Sequence, residues 1–444
     1  MATLLRGVLV IFNAMTQNLH TQLAKRIKRV KRALHASEQS AALLLTTAPP
    51  QIRSLDSHYE YRPDSNFFYL TGSRIRNAAL IISTEHEQPL LIGAKRPKAQ
   101  VVWEGSEESL HQIAARCGAT LIQSSEERSK ILEALRGVRV LYHQGYPSRG
   151  LQIVKTLLEL PAAQRRIYPT TFSHSDNLLA ALRLLKDPQE ITAIKEAAAL
   201  TCDAYYKILP MIRPGVTEKE IAASIQHCFR AQGALPAFPP IVASGMAAAT
   251  LHYDKLERNL REDDLLLVDI GAELNLYAAD MTRVFPVSGV FDDLQAKLYE
   301  TVLRAQKAAI KAVRPGATIA KVYQQAALMI LEGLVSLKIL NGKVARLMER
   351  HAERSYFPHS IGHQLGLDVH DVSIQPHNAT AVSTVLKPGM VITIEPGIYF
   401  PKRIKKIKPC GIRIEDDVLV TPKGHQVLSS GFPKELAELE GLLR

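Results

Sequence analysis

Cysteine is scarce. Four are spread over 444 residues, at Cys117, Cys202, Cys228 and Cys410, with no paired or metal-like spacing. That excludes a disulfide framework and a thiolate zinc site, and leaves buried reduced thiols in a reducing compartment. There is one tryptophan, and the hydrophobic content of 46% fits a soluble globular protein. No apolar run of about 18 residues occurs, so no membrane-spanning helix is expected. Acidic residues are outnumbered by basic ones, 43 to 55, for a net charge of +12. Two clusters carry much of the excess, KRIKRVKR at 25–32 and KRIKKIK at 402–408. Neither has interleaved aromatics or a known binding motif. They read as a solvated helix face and a solvated loop, with no nucleic-acid or membrane partner expected.

The length calls for two domains. Residues 1–175 are expected to form an α/β domain. An apolar stretch at 4–14 resembles a targeting leader, but Met15 opens a polar, basic segment, and a start at Met15 is the favoured reading of 1–14. An amphipathic basic helix is predicted at 16–34. Strands follow at 41–46, 78–83, 89–92, 120–122 and 139–142, with helices at 106–117 and 126–135; 61–72, YRPDSNFFYLTG, reads as an aromatic strand ending in a glycine turn.

Residues 176–444 contain an internal repeat. Asp187-Pro188-Gln189-Glu190 is a strong helix start, with Asp at the N-cap, Pro at N1 and Glu at N3. Arg213-Pro214-Gly215 breaks the chain, Thr217 caps a second helix, and Gly233 is placed to end it. The order then recurs, with a helix at 292–313, Arg314-Pro315-Gly316-Ala317-Thr318, and a helix through Leu334. Each half then continues into a strand pair carrying two acids. In the first, LLLVDIGAELNLYAADMTRVF at 265–285, Asp269 and Asp280 flank a hairpin that can bring both carboxylates to one face. In the second, MVITIEPGIYF at 390–400 and CGIRIEDDVLV at 410–420 carry Glu395 and Glu415. Between them, FPHSIGHQLGLDVHD at 357–371 supplies histidines on a strand or loop.

Buried acids facing one another repel unless a proton or cation lies between them. Asp269, Asp280, His363, Glu395 and Glu415 offer four carboxylates and one imidazole, a set that suits two divalent ions of the Mn type. The reaction class is metal-assisted hydrolysis, most naturally of an amide, with a metal-held water as nucleophile. His252, His359 and His370 could donate to substrate carbonyls or to developing negative charge. Arg413, two residues before Glu415 on the same strand face, should sit by the acids and hold them ionised. The remaining histidines read as surface or core residues.

VDIGAELNLYAADMTRVFPVSG, HSIGHQLGLDVHD, TIEPGIYF and GIRIEDDVLVT resemble the metal motifs of the creatinase and aminopeptidase "pita-bread" metallopeptidases, in order and spacing. DSHYEYRPDSNFFYLTG resembles the amino-terminal domain of the aminopeptidase P branch and of related prolidases. The resemblance implies an α/β N-terminal domain followed by an α+β pita-bread catalytic domain with internal two-fold pseudo-symmetry. It implies cleavage of an N-terminal residue from a following proline. It also implies that Asp269 holds one Mn ion, His363 and Glu395 the other, and that Asp280 and Glu415 bridge both, with Glu395 shuttling a proton. His252, His359 and His370 match substrate-contacting and transition-state-stabilising histidines, and Arg413 and Tyr399 match residues supporting the metal centre. A cytoplasmic homodimer or homotetramer is implied, with Asp56 and Trp103 where a neighbouring chain contributes. The basic segment between Glu395 and Arg413 departs from the family pattern and bears on the shape of the substrate mouth. The alternatives are an Xaa-Pro dipeptidase and a non-catalytic peptide-binding module; all five ligand positions are filled, which speaks against the latter.

Overall fold

The computed structural model describes residues 2–36, 39–145, 148–373 and 384–444, with side chains from residue 19. His377, read above as surface or core, lies outside the described residues. The chain divides into two compact units, residues 1–182 and 183–444. Among the described residues no helix is long and apolar enough to cross a membrane.

The first unit is built on a mixed six-stranded sheet. Its centre is Ala41–Thr46 beside Ala78–Ser83, antiparallel, both buried along their whole length. Leu90–Gly93 and Thr120–Gln123 extend one side, and Val140–His143 and Thr171–His174 the other. Strands with no solvated face must be covered on both sides, which explains their continuous apolar runs. The long basic helix Ala2–His35 buries Leu23, Ile27, Val30 and Leu34 at helical spacing and leaves Lys25, Lys28 and Arg32 in water. Arg26 departs from the solvated face expected for its cluster. It is buried, with its guanidinium 4.1 Å from the Tyr69 ring centre and Nη1 donating to Tyr69 O at 3.0 Å.

The expected aromatic strand at 61–72 is instead the helix Ser65–Thr71. Asp64 caps it by accepting from Phe67 N at 2.8 Å, and Gly72 ends it in the left-handed region at φ 62°. These end signals prevail over the strand preference of Phe-Phe-Tyr because the helix packs its aromatic side chains into the core.

The second unit carries the repeat. Pro188–Ile208 and Glu218–Ala231 form the first helix pair, and Asp293–Ala312 and Ile319–Ser336 the second. Asp187, Thr217, Asp292 and Thr318 cap them, the first three in full capping boxes. The linking turns match atom for atom. Gly215 N donates to Leu260 O and Gly316 N to Leu386 O, both at 2.9 Å, while Leu260 N returns to Val216 O and Leu386 N to Ala317 O, both at 2.8 Å.

Each half then forms a long hairpin broken in the middle. In the first, Leu265–Ile270 pairs with Met281–Pro286 as a base, and Ala272–Leu274 pairs with Tyr277–Ala278 as a tip. In the second, Val391–Ile394 pairs with Asp416–Thr421, and Gly397–Phe400 with Cys410–Arg413. At the first break the chains cross so closely that a Cβ on Gly271 would lie 1.7 Å from Ala279 O; only glycine fits there. A flanking segment pairs with each base. Ile241 lies opposite Asp269 in the first half, and Glu395 N donates to Ile361 O in the second. One apolar core runs beneath both halves.

Candidate active site

The acids sit at the two breaks, and the breaks meet. Thr282 and Glu415 form a lone antiparallel bridge, with Glu415 N donating to Thr282 O at 3.1 Å. Thr282 pairs with Asp269 across the first base, so Asp280, two residues earlier, shares their face. Thr282 Oγ1 donates to Glu415 Oε2 at 2.6 Å. The carboxylates of the two halves are thereby brought to one crevice.

Asp280, His363 and Glu415 each present a ligand atom within 4.8 Å of the others. His363 Nε2 lies 3.3 Å from Asp280 Oδ2 and 3.8 Å from Glu395 Oε1. Its Nδ1 is 3.0 Å from Gln364 O. A carbonyl only accepts, so Nδ1 carries the hydrogen and Nε2 turns a lone pair toward the acids. Asp269 Oδ2 accepts from Arg413 Nη2 at 2.6 Å, but its buried Oδ1 has no hydrogen-bond partner. Burial, followed by the charges of Asp269 and Asp417, pushes Asp280 well above the ordinary carboxyl range. Burial and then Asp280 do the same to Glu415. Glu395 is raised by burial, against the pull of His363 and Arg413. Four carboxylates, one imidazole lone pair and an orphaned buried oxygen fit divalent cations with oxygen preference.

Arg413 spans the site. It donates to Asp269 through Nη2, to Tyr399 OH at 2.8 Å through Nη1 and to Thr282 Oγ1 at 3.2 Å through Nε. Burial pushes Tyr399 up to about 12, so its hydroxyl keeps its proton. That proton goes to His359 Nε2, 2.9 Å away, while His359 Nδ1 donates to Ser360 O at 2.8 Å. His359 is lowered to about 4 by burial and by Arg413, so it is neutral at physiological pH with both nitrogens used. His370 is exposed, its ring 4.2 Å from that of His363.

A cavity of about 870 Å³ lies over these groups. All of the predicted site residues line it except Tyr399, which stands behind Arg413 and His359. His252 enters from a loop of the first half, and Phe238, Pro239, Leu251 and Ile319 give the cavity an apolar wall. Asp56 and Trp103 belong to the other unit; both are exposed, Trp103 at 86%.

Three sets of supporting residues were not expected. Asp417 is fully buried and accepts from Asp280 N at 3.3 Å. The alternation of strand faces after Glu415 could have found it. Arg283, also fully buried, reaches Glu415 O and pairs with Asp416 Oδ1 at 2.8 Å. Arg183 and Lys186 hold the side chain of Asp371, next to His370, through contacts of 2.5 and 3.0 Å. No local pattern marks partners so far apart in the chain.

Comparison with known proteins agrees with this geometry. The model of "Metallopeptidase family M24" matches residues 192–422, and that of "Aminopeptidase P, N-terminal domain" matches 24–142. A Xaa-Pro aminopeptidase of Escherichia coli is 33% identical over 431 residues, spanning 94% of this chain and 96% of its own. The solved structure of proline aminopeptidase P II from Yersinia pestis superposes with a TM-score of 0.89 at 31% identity, covering 96% of this chain and 99% of that one. A zinc-substituted Escherichia coli aminopeptidase P in complex with product gives 0.87 at 33%, covering 95% and 98%.

Proposed function

The chain belongs to metallopeptidase family M24, and from that premise we propose that it is a metal-dependent aminopeptidase that hydrolyses the peptide bond between an N-terminal residue and a following proline. The observation that carries this reading is the crevice itself. His363 Nε2, Asp280 and Glu415 converge there beside the unpartnered Asp269 Oδ1. Xaa-Pro aminopeptidase relatives along nearly the full length favour the aminopeptidase over the dipeptidase.

In this reading Asp269, Asp280, His363, Glu395 and Glu415 hold two divalent ions, which we take to be Mn2+. Such ions supply an activated water as nucleophile and polarise the carbonyl under attack. Glu395 has a carboxyl raised by burial and open to the cavity, so it can hold and pass on a proton. His359, held neutral with Nδ1–H on Ser360 O, is steadied through Tyr399 by Arg413. His252 and His370 reach the cavity from opposite halves as donors to substrate carbonyls. The apolar wall suits a pyrrolidine ring. We further take the enzyme to be cytoplasmic, in keeping with its four free cysteines, and to act as a homodimer or homotetramer.

The test is hydrolysis by metal-stripped protein refilled with Mn2+, on a Xaa-Pro dipeptide and a Xaa-Pro-Yaa tripeptide in parallel. Metal-dependent release of the first residue from the tripeptide is expected. Cleavage confined to the dipeptide would make the enzyme a dipeptidase, and no cleavage of either with metal bound would point to a binding module.

A further inference from the structure

We infer that Glu218 is a positioning residue for His252, fastening through one buried carboxylate the loop that carries this histidine over the site. The inference rests on the reading of His252 as a substrate-contacting group.

Glu218 is the first residue of the helix Glu218–Ala231 and is fully buried. Its carboxylate takes four hydrogen bonds. Oε1 accepts from Ser244 N and Ser244 Oγ, both at 2.8 Å. Oε2 accepts from Tyr253 OH at 2.9 Å and from Arg258 N at 3.0 Å. Ser244 and Arg258 are the two ends of the loop 244–258, and Tyr253 lies near its middle, directly after His252. The Glu218 amide donates to Arg258 O at 3.0 Å, and the Tyr253 hydroxyl accepts from Glu257 N at 3.0 Å.

The first part of the loop is also held by packing: the 3-10 turn Gly245–Ala249 lies against Cys410–Arg413 and buries Ala247 and Ala248 in the core. Beyond the short 3-10 turn Gly245–Ala249 it holds no regular structure, and His252 itself is exposed. Its remaining side-chain ties run through Arg258, to Ser244 Oγ at 3.2 Å and to Asp264 Oδ2 at 3.4 Å. A carboxylate that accepts four bonds from both ends and the middle of one loop removes its rotational freedom at those points. The helix beneath supplies a rigid base, and its N-terminal end favours the negative charge. His252 thus inherits its place from a group that never touches the cavity; Glu218 is not among the cavity-lining residues, whereas Leu251, His252, Tyr253 and Asp254 are.

The repeat supports a specific use. Thr217-Glu218 corresponds to Thr318-Ile319, two capping threonines each followed by the first residue of a helix. Ile319 faces the cavity, and Glu218 turns to its loop. The carboxylate is therefore not a requirement of the repeated backbone.

The test is a double-mutant cycle on kcat/KM for a Xaa-Pro-Yaa peptide, with melting temperature and metal content measured for every variant. Glu218→Gln keeps the volume but sets an amide donor against donors of the loop. Tyr253→Phe removes the single middle tie and serves if Glu218→Gln folds poorly. Each should lower kcat/KM by about 10- to 100-fold in the native background. Neither should lower it further in a His252→Ala background, because the group they position is gone. Equal losses in both backgrounds, or full activity of both variants, overturn the inference. A fully active His252→Ala protein would instead overturn the reading of His252 on which it rests.

Discussion

The two halves of residues 183–444 share their backbone down to the turns after Arg213-Pro214 and Arg314-Pro315, yet they furnish the crevice with different side chains. The first half brings two short acids, Asp269 and Asp280, and His252 on a loop. The second brings the longer acids Glu395 and Glu415, together with His363, Arg413 and Tyr399. Asp269 lies opposite Thr282 in the base of the first hairpin, and in the second Glu395 comes two residues after Thr393, whose Oγ1 accepts from His363 N at 3.1 Å. Repetition supplies the meeting point of the strands, and divergence of side chains supplies the chemistry. Adjacent residues can also take opposite parts. Burial and the charges of Asp280 and Glu395 push Glu415 up, whereas Asp416, equally buried, is held at about 2 by Arg283 and Lys434.

The largest effect is expected from removing one crevice acid from each half. Asp280→Ala and Glu415→Ala should both reduce turnover by more than about 100-fold, beyond the usual cost of outer-shell changes. Both should also lower the bound metal measured by elemental analysis. Retention of activity in one but not the other would mean that a single half suffices.

A second test separates the crevice from its support by pH. Asp280 and Glu415 have folded pKa values raised above their unfolded ones, so the stability they contribute is complete below the unfolded value. It is lost as pH climbs through the raised folded value. Cations bind only the ionised forms and offset that loss. The difference in melting temperature between Mn-loaded and stripped protein should therefore widen as pH rises, and a constant difference contradicts the account. Asp416 behaves in the opposite sense. Its contribution is complete above its ordinary value of 3.8 and is lost as pH falls toward about 2, so it shapes the acid limb of both forms alike.

The smallest effect sharpens the symmetry itself. Gly215 and Gly316 have φ of 89° and 80°, and a Cβ on either would meet nothing within 4 Å. Gly215→Ala and Gly316→Ala should each cost about 1–2 kcal/mol from backbone strain alone, a melting shift of a few degrees. Markedly unequal shifts would show that the two turns are not equivalent.

Much of this was legible in the chain. Asp187, Thr217, Asp292 and Thr318 announce their helices because capping chemistry is local. The acids stand out because each interrupts an apolar strand, and the repeated Arg-Pro-Gly turn puts them in register. Tertiary context hid the rest. Asp64 and Gly72 flank Ser65–Thr71 as helix end signals, but the Phe-Phe-Tyr run between them reads as strand until the core it packs into is in place. Arg26 looks like one more solvated base until Tyr69 is placed beneath it. Glu218 reads as an ordinary first-turn acid, since Ser244, Tyr253 and Arg258 reach it only once the loop is folded.

In the proposed function the two repeated hairpins build a crevice for a pair of divalent ions. Anomalous diffraction from crystals equilibrated with Mn2+ tests it most directly. Two peaks are expected, both bounded by Asp269, Asp280, His363, Glu395 and Glu415. A single peak, or peaks away from these side chains, would contradict it.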